Sequence, residues 1–248
     1  MPLSTLIIRD EPLMDAAAAL ERSVELLRAV AGGTIADDRV VRVYAPPPTV
    51  AMSRRESRMP GFAQASAACV ERGFAPVVRP TGGRAVAYDE SCIVFDLIER
   101  EGAAGPVVPA GASAPAASAG APVPVVGPQA LFARVGDALV TALGRLGADA
   151  RVGDVPGEYC PGEFSINARG AVKLVGTSQR AVRGARLLSG MVPLGAIDRL
   201  VDVLREVNAA LGLEWDAATF GTLRDEASGV SRVEVEDALV GALIDLPR

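Results

Sequence analysis

The chain has no histidine, and of its 25 lysines and arginines only one, Lys173, is a lysine. Without imidazole, Ser-His-Asp and Cys-His catalysis are excluded, as are zinc sites built on histidine. The three cysteines, Cys69, Cys92 and Cys160, are odd in number, widely spaced and never paired as CxxC. They form neither a disulfide framework nor a zinc site. Aromatic residues make up 4% of the chain and the net charge is −5. A phosphate-tracking surface needs a basic excess, so nucleic acid is not an expected partner. No apolar run reaches membrane-spanning length, and "MPLSTLIIRDEPLMD" has acids early and no basic stretch. Neither a membrane span nor a secretory signal is expected, which leaves the cytoplasm as the expected location. Neither GxGxxG nor GxxxxGK[ST] occurs, so Rossmann and Walker A phosphate loops are absent as well.

What is present suits a globular protein: 248 residues, half of them apolar and 22% charged. Helical spacing marks Asp15–Val30, Gly127–Gly147, "AIDRLVDVLREVNAALGL" and "VSRVEVEDALVGALIDL". "RVVRVYAPPPTVAMS" reads as a strand, a proline turn and a second strand. "GFAQASAACVERGFAPVVRPTGG" reads as a helix ending at Gly73, then a strand and a glycine turn. "RAVAYDESCIVFDLI" reads as a hairpin, with Arg84–Tyr88 and Cys92–Ile98 joined by an Asp-Glu-Ser turn. Past 150 come a strand, a loop with two Pro-Gly pairs, a hairpin turning at Asn167–Gly170, and two more strands. Interleaved helices and hairpins predict an α+β fold with a mixed or antiparallel central sheet packed by helices. Residues 102–128 are almost entirely Ala, Gly, Pro, Ser and Val, predicting a flexible insertion in a single domain spanning 1–248.

Three stretches could carry chemistry. In "RPTGGRAV" two glycines end a strand between arginines, and glycine lets backbone N–H groups approach a ligand. An ordinary turn is the competing account. Lys173 lies in "AVKLVG", where alternation sends it to the face opposite Val172 and Leu174. A composition typical of GC-rich coding sequence explains why lysine is gone elsewhere, but not why it persists here. An ammonium aimed at one oxygen cannot be exchanged for a guanidinium without moving the charge. Cys160 sits in "GEYCPGEFS", a Gly/Pro loop where a thiol is reachable. Cys69 and Cys92 fall in apolar segments and should be buried and inert. A nearby cation, such as Lys173, could favour the Cys160 thiolate.

"RPTGGRAVAYDES" followed at a distance by "FSINARGAVKLVGTSQR" resembles the biotin/lipoate protein ligase superfamily. In that family an Arg-x-x-Gly-Gly-x-Ala-Val element and a Lys-apolar-x-Gly-Ser/Thr-Ala/Ser-Gln element line one acyl pocket. The similarity runs from about Val41 to Pro193. It implies that Arg79, Thr81, Gly82, Gly83, Arg84, Ala85, Val86, Gly176, Thr177, Ser178 and Gln179 bind substrate. It also implies that Lys173 hydrogen-bonds the acyl carbonyl. "EYCPGEFSI" before that lysine is similar to the cysteine-dependent octanoyltransferase branch, which makes Cys160 the nucleophile and Lys173 its activating partner.

The resemblance thus implies movement of an octanoyl or lipoyl group to a lysine of a lipoyl carrier domain through an acyl-Cys160 thioester. No cofactor is required in that case. The implied partners are a carrier domain (an H protein or an E2 lipoyl domain) and an acyl carrier protein as donor, with the enzyme a monomer. The alternative is an ATP- and Mg-dependent lipoate–protein ligase working through lipoyl-AMP, and a third reading is a non-catalytic acyl-binding protein. The ligase branch shows serine before the glycines and a His-Asp-x-Gly-Asn-like run after them. This chain has Thr81, then Tyr88-Asp89-Glu90-Ser91. The biotin branch's Gly-Arg-Gly-Arg-x-Gly loop is absent, which disfavours biotin ligation.

Overall fold

Alternation along the long strands decides the layering. Val41, Val43, Ile93, Phe95 and Leu97 point to one side of a sheet, and Val40, Tyr44, Val94 and Ile98 to the other. A sheet with apolar residues on both faces must be covered on both. The computed structural model describes residues 3–9, 15–101 and 127–247. The expected flexible insertion lies, for residues 102–126, outside the described residues.

In chain order the elements are β1 (Thr5–Arg9), α1 (Ala16–Ala31), β2 (Arg39–Tyr44), β3 (Thr49–Ser53), α2 (Phe62–Glu71), β4 (Ala75–Arg79), β5 (Val86–Tyr88) and β6 (Cys92–Arg100). After the undescribed stretch come α3 (Pro128–Arg145), β7 (Ala150–Val152), β8 (Ile166–Ala168), β9 (Val172–Val182), β10 (Ala185–Pro193), α4 (Asp198–Leu211), α5 (Leu223–Glu226) and α6 (Arg232–Ile244). Seven strands form one mixed sheet in the order β1-β2-β6-β10-β9-β8-β7, and β4-β3-β5 form a second. In the large sheet β1 runs parallel to β2 and the other neighbours are antiparallel. The fold is therefore α+β with a mixed central sheet, as predicted.

One face of the large sheet packs on α3 and α6 through Leu131, Val135, Leu139, Leu143, Val235, Leu239 and Leu243, at four-residue spacings. The other face meets α1, the small sheet, α2 and α4. Local chemistry sets the boundaries. Asp15 caps α1 by accepting from Ala18 N at 2.8 Å. Ser231 and Glu234 form a capping box on α6. Arg169 and Gly170, with φ of 57° and 71°, make a tight turn between β8 and β9 whose twist matches the strands.

The predicted hairpin of 84–98 does not form. β5 pairs with β3 in the small sheet, whereas β6 pairs with β2 and β10 in the large one. The turn itself is real. Asp89 Oδ1 accepts from both the Ser91 amide and the Ser91 hydroxyl, at 2.9 and 2.6 Å. It turns the chain from one sheet to the other instead of folding it back. β1 had no counterpart in the predicted elements.

Gly190 in β10 lies opposite Phe95 of β6, and a Cβ there would fall 2.2 Å from Phe95 Cζ. Gly190→Ala is expected to destabilise the fold by about 1–3 kcal/mol, read as a lower urea midpoint with unchanged slope.

Candidate active site

A cavity of about 420 Å³ opens between the large sheet, α1 and the small sheet. This is a common size for a small-molecule site. Its sheet floor is built from β6, β10 and β9. Val94, Met191 and Gly176 form one cross-strand row, and Asp96, Ser189 and Ser178 form the next. Leu20 and Val24 of α1 wall one side, and the loops after β4 and β7 wall another.

Among the predicted site residues, Arg79, Thr81, Gly83, Val86, Cys160, Lys173, Gly176, Thr177 and Ser178 line this cavity. Gly82 and Gln179 line a neighbouring cleft that shares Thr177 and Ser178. Arg84 and Ala85 line neither, and they enter through their backbones. The Arg84 amide donates to Cys160 Sγ at 3.1 Å, and the Ala85 amide donates to Glu56 Oε1 at 2.7 Å. The two sequence elements meet directly, with Ser178 Oγ donating to Thr81 Oγ1 at 3.0 Å.

Loop geometry brings the 79–86 turn against the thiol. Arg79 reaches back to the Arg84 carbonyl at 2.7 Å, tying the turn's two ends. Gly83, at φ 103°, passes so close that a Cβ would lie 3.0 Å from Cys160 Sγ and 2.5 Å from Arg79 Nη2. Cys160 is partly exposed, whereas Cys69 and Cys92 are buried. Burial pushes the Cys69 thiol up to about 11 and the Cys92 thiol up to about 12. Iodoacetamide at pH 8 should therefore label Cys160 alone in the folded protein; peptide mapping that finds Cys69 or Cys92 labelled equally fast would contradict this burial.

Lys173 is 1% exposed on the pocket face of β9, not on a solvated one. Its Nζ donates to Glu158 Oε1 at 2.9 Å and to the Cys160 carbonyl at 2.6 Å. Its bonds thus hold the cysteine's backbone and not Sγ. The third N–H has no hydrogen-bond partner among the described residues. A loop after the 3-10 turn Ala217–Thr219 braces this strand, with Gly221 N donating to the Lys173 carbonyl at 3.1 Å.

Three buried carboxylates, Glu158, Glu56 and Asp96, went unread in the sequence. Glu158 accepts from Lys173, the Ser165 hydroxyl (2.6 Å), Val155 N (3.1 Å) and Gly162 N (3.2 Å), so it organises the whole Cys160 loop. Glu56 accepts from Ser53 N, Ser53 Oγ and Ala85 N and fixes the glycine turn. A lone lysine in an apolar strand needs a counter-charge, and Glu158, two residues before Cys160, was the available signal. On the cavity's sheet floor, Asp96 accepts from Ser23 (2.6 Å), Ser189 (2.5 Å) and Arg42 (3.1 Å), so this buried carboxylate is satisfied. For an anion, the fitting groups are Arg79 and Arg180, each with a buried Nε lacking a hydrogen-bond partner among the described residues. Arg180 also donates to Pro80 O at 3.2 Å, beneath the same turn.

No family model matches the chain. Four curated relatives carry the name octanoyl-[GcvH]:protein N-octanoyltransferase. The one from Geobacillus kaustophilus is 29% identical over 173 residues, covering 70% of this chain and 53% of that protein. The chain spans about half the length of the curated relatives it matches. Among solved structures, a lipoate-protein ligase A bound with ATP superposes with a TM-score of 0.69 at 20% identity, covering 98% of this chain and 84% of that one. A bi-partite lipoate protein ligase studied with its E2 lipoyl domain, from Thermoplasma acidophilum, gives 0.67 at 16%, covering 97% and 82%. The chain therefore has the fold of the lipoate-protein ligase structures, and in sequence it is similar to octanoyl-[GcvH]:protein N-octanoyltransferases.

Proposed function

We propose that the protein transfers an octanoyl group between lysines of lipoyl carrier domains through an acyl thioester on Cys160. The observation that carries this is the meeting of a reachable thiol, a buried ammonium and an amide donor at one end of an apolar pocket. The named activity of the sequence relatives, with GcvH as octanoyl carrier, points the same way.

In the first step Cys160 Sγ attacks the octanoyl-amide carbonyl. A C–S bond forms, the C–N bond breaks, and the carrier lysine leaves as an amine that gains the proton the thiol has lost. In the second step an acceptor lysine amine attacks, a C–N bond forms, the C–S bond breaks, and the proton lost by the amine returns to Sγ. Amide replaces amide, so no nucleotide is needed to drive the exchange. The Arg84 amide, donating to Sγ at 3.1 Å, fixes where the attacking sulfur sits. The free N–H of Lys173 stabilises the carbonyl oxygen as it gains charge. Leu20, Val24, Val94 and Met191 take the alkyl chain. Arg79, Thr81, Gly83 and Ser178 close the pocket around it.

The buried Nε atoms of Arg79 and Arg180, unpartnered among the described residues, favour a second reading, an ATP-dependent ligase. There they and the Gly82–Gly83 turn would hold the phosphate of an acyl-adenylate, and ATP would supply the activated anhydride. Incubation of octanoyl-GcvH with an unmodified lipoyl domain and the enzyme separates the two. Transfer without nucleotide supports the first reading; transfer only with ATP, starting from the free acid, replaces it with the second.

A further inference from the structure

Tyr159 precedes the proposed nucleophile, lines the pocket, and is 1% exposed. Its Oη is buried and has no hydrogen-bond partner among the described residues. A phenol hydroxyl in that condition has given up water without compensation unless something else fills the need. Its ring, by contrast, is held firmly. Phe220 lies 4.8 Å away and Trp215 meets it edge-on at 6.3 Å. Lys173 Nζ stands 4.7 Å from the ring centroid. The hydroxyl's direction is therefore set by packing and not by a hydrogen bond.

Gly176 shows where that direction leads. A Cβ on residue 176 would lie 3.5 Å from Tyr159 Oη and 3.6 Å from Lys173 Nζ. Gly176 is itself a pocket residue, so the missing side chain leaves a notch in the pocket wall flanked by two donors. An oxygen in that notch can take one bond from the uncommitted N–H of Lys173 and another from the phenol.

We propose that Tyr159 is a catalytic residue of the transfer, its hydroxyl donating beside Lys173 to the acyl oxygen in both tetrahedral steps. This rests on the transfer reading above. The phenol stays protonated at neutral pH. Burial first, and then negative charge at Cys160 and Glu158, push its pKa well above the usual 10. The proton is shared and not transferred, so the atom balance of the two steps is unchanged. Two preorganised donors at one oxygen also account for a pocket that works without histidine.

Tyr159→Phe tests this cleanly, because it removes Oη and no hydrogen bond among the described residues. The protein should fold with wild-type stability. In single-turnover mass spectrometry with octanoyl-GcvH, acyl-Cys160 should form about 100- to 1,000-fold more slowly, with KM little changed. The carbonyl stretch of a 13C-labelled octanoyl-Cys160 should also move to higher frequency, as it does when a carbonyl loses a hydrogen bond. A rate within about twofold of wild type and an unmoved carbonyl band would show an idle hydroxyl and overturn the proposal. If the wild type forms no adduct, the transfer reading falls and the Tyr159 role falls with it. If the wild type forms it and Tyr159→Phe matches it, only the Tyr159 role falls.

Discussion

Cys160→Ala is expected to abolish transfer between carriers, lowering turnover by at least about a thousandfold, while leaving stability nearly untouched. The structural reason for the second half is that Sγ accepts one hydrogen bond, from Arg84 N, and is partly exposed. Its removal opens no sealed cavity. The reason for the first is that the chain has no histidine to activate water or an amine directly, and the other two thiols are buried away from the reaction. Octanoyl-GcvH should still bind to Cys160→Ala, since the apolar walls that hold the chain are intact. A variant that binds donor, keeps its melting temperature and still transfers would remove the cysteine from the chemistry.

Lys173→Met is expected to do the opposite to stability. It deletes one partner of a buried pair whose side chains are 2% and 0% exposed, and it leaves the Glu158 carboxylate in the interior. Breaking such a pair costs about 3–5 kcal/mol, a large fraction of the stability of a domain this size. The loss should come mainly from the stranded carboxylate. Lys173→Met combined with Glu158→Gln should therefore recover much of the stability, yet recover no turnover, because the donor to the acyl oxygen remains absent. Urea melts and transfer rates on the same three proteins separate the two roles. Lys173→Arg keeps the charge but not its place. Lys173 Cε already sits 3.1 Å from where a Cβ on residue 176 would be, so a planar guanidinium must displace Tyr159 or enter the pocket. Its fold should survive better than that of Lys173→Met, with most turnover gone.

Much of this site was legible because composition made one residue conspicuous. Codon bias had replaced lysine at every other basic position, so Lys173 stood out without reference to its surroundings. Cys160 stood out by its Gly/Pro loop, and Thr81 and Ser178, in contact across 97 positions of sequence, by the two motifs that hold them. Glu158, Glu56 and Tyr159 did not stand out. Whether a carboxylate or phenol is buried is decided by what packs over it. Here that is Lys173 over Glu158, and Trp215 and Phe220 against Tyr159, residues far along the chain.

The helices were readable for a related reason. Their signals, the apolar spacing of α3, α4 and α6 and the Ser231–Glu234 box, are local. Strand partners are not local. Alternation marked 84–88 and 92–98 as strands, but nothing within those residues says that the first joins β3 and the second joins β2 and β10. The five residues of β1 form a strand because β2 offers a parallel edge, a partner that nothing within them names.

The most direct measurement is intact-protein mass spectrometry after mixing the enzyme with octanoyl-GcvH in the absence of nucleotide. The account predicts one octanoyl adduct, mapped to Cys160, released by hydroxylamine and discharged on adding an unmodified lipoyl domain. An enzyme that stays unacylated while octanoyl still reaches the acceptor, or an adduct that Cys160→Ala also forms, would contradict it.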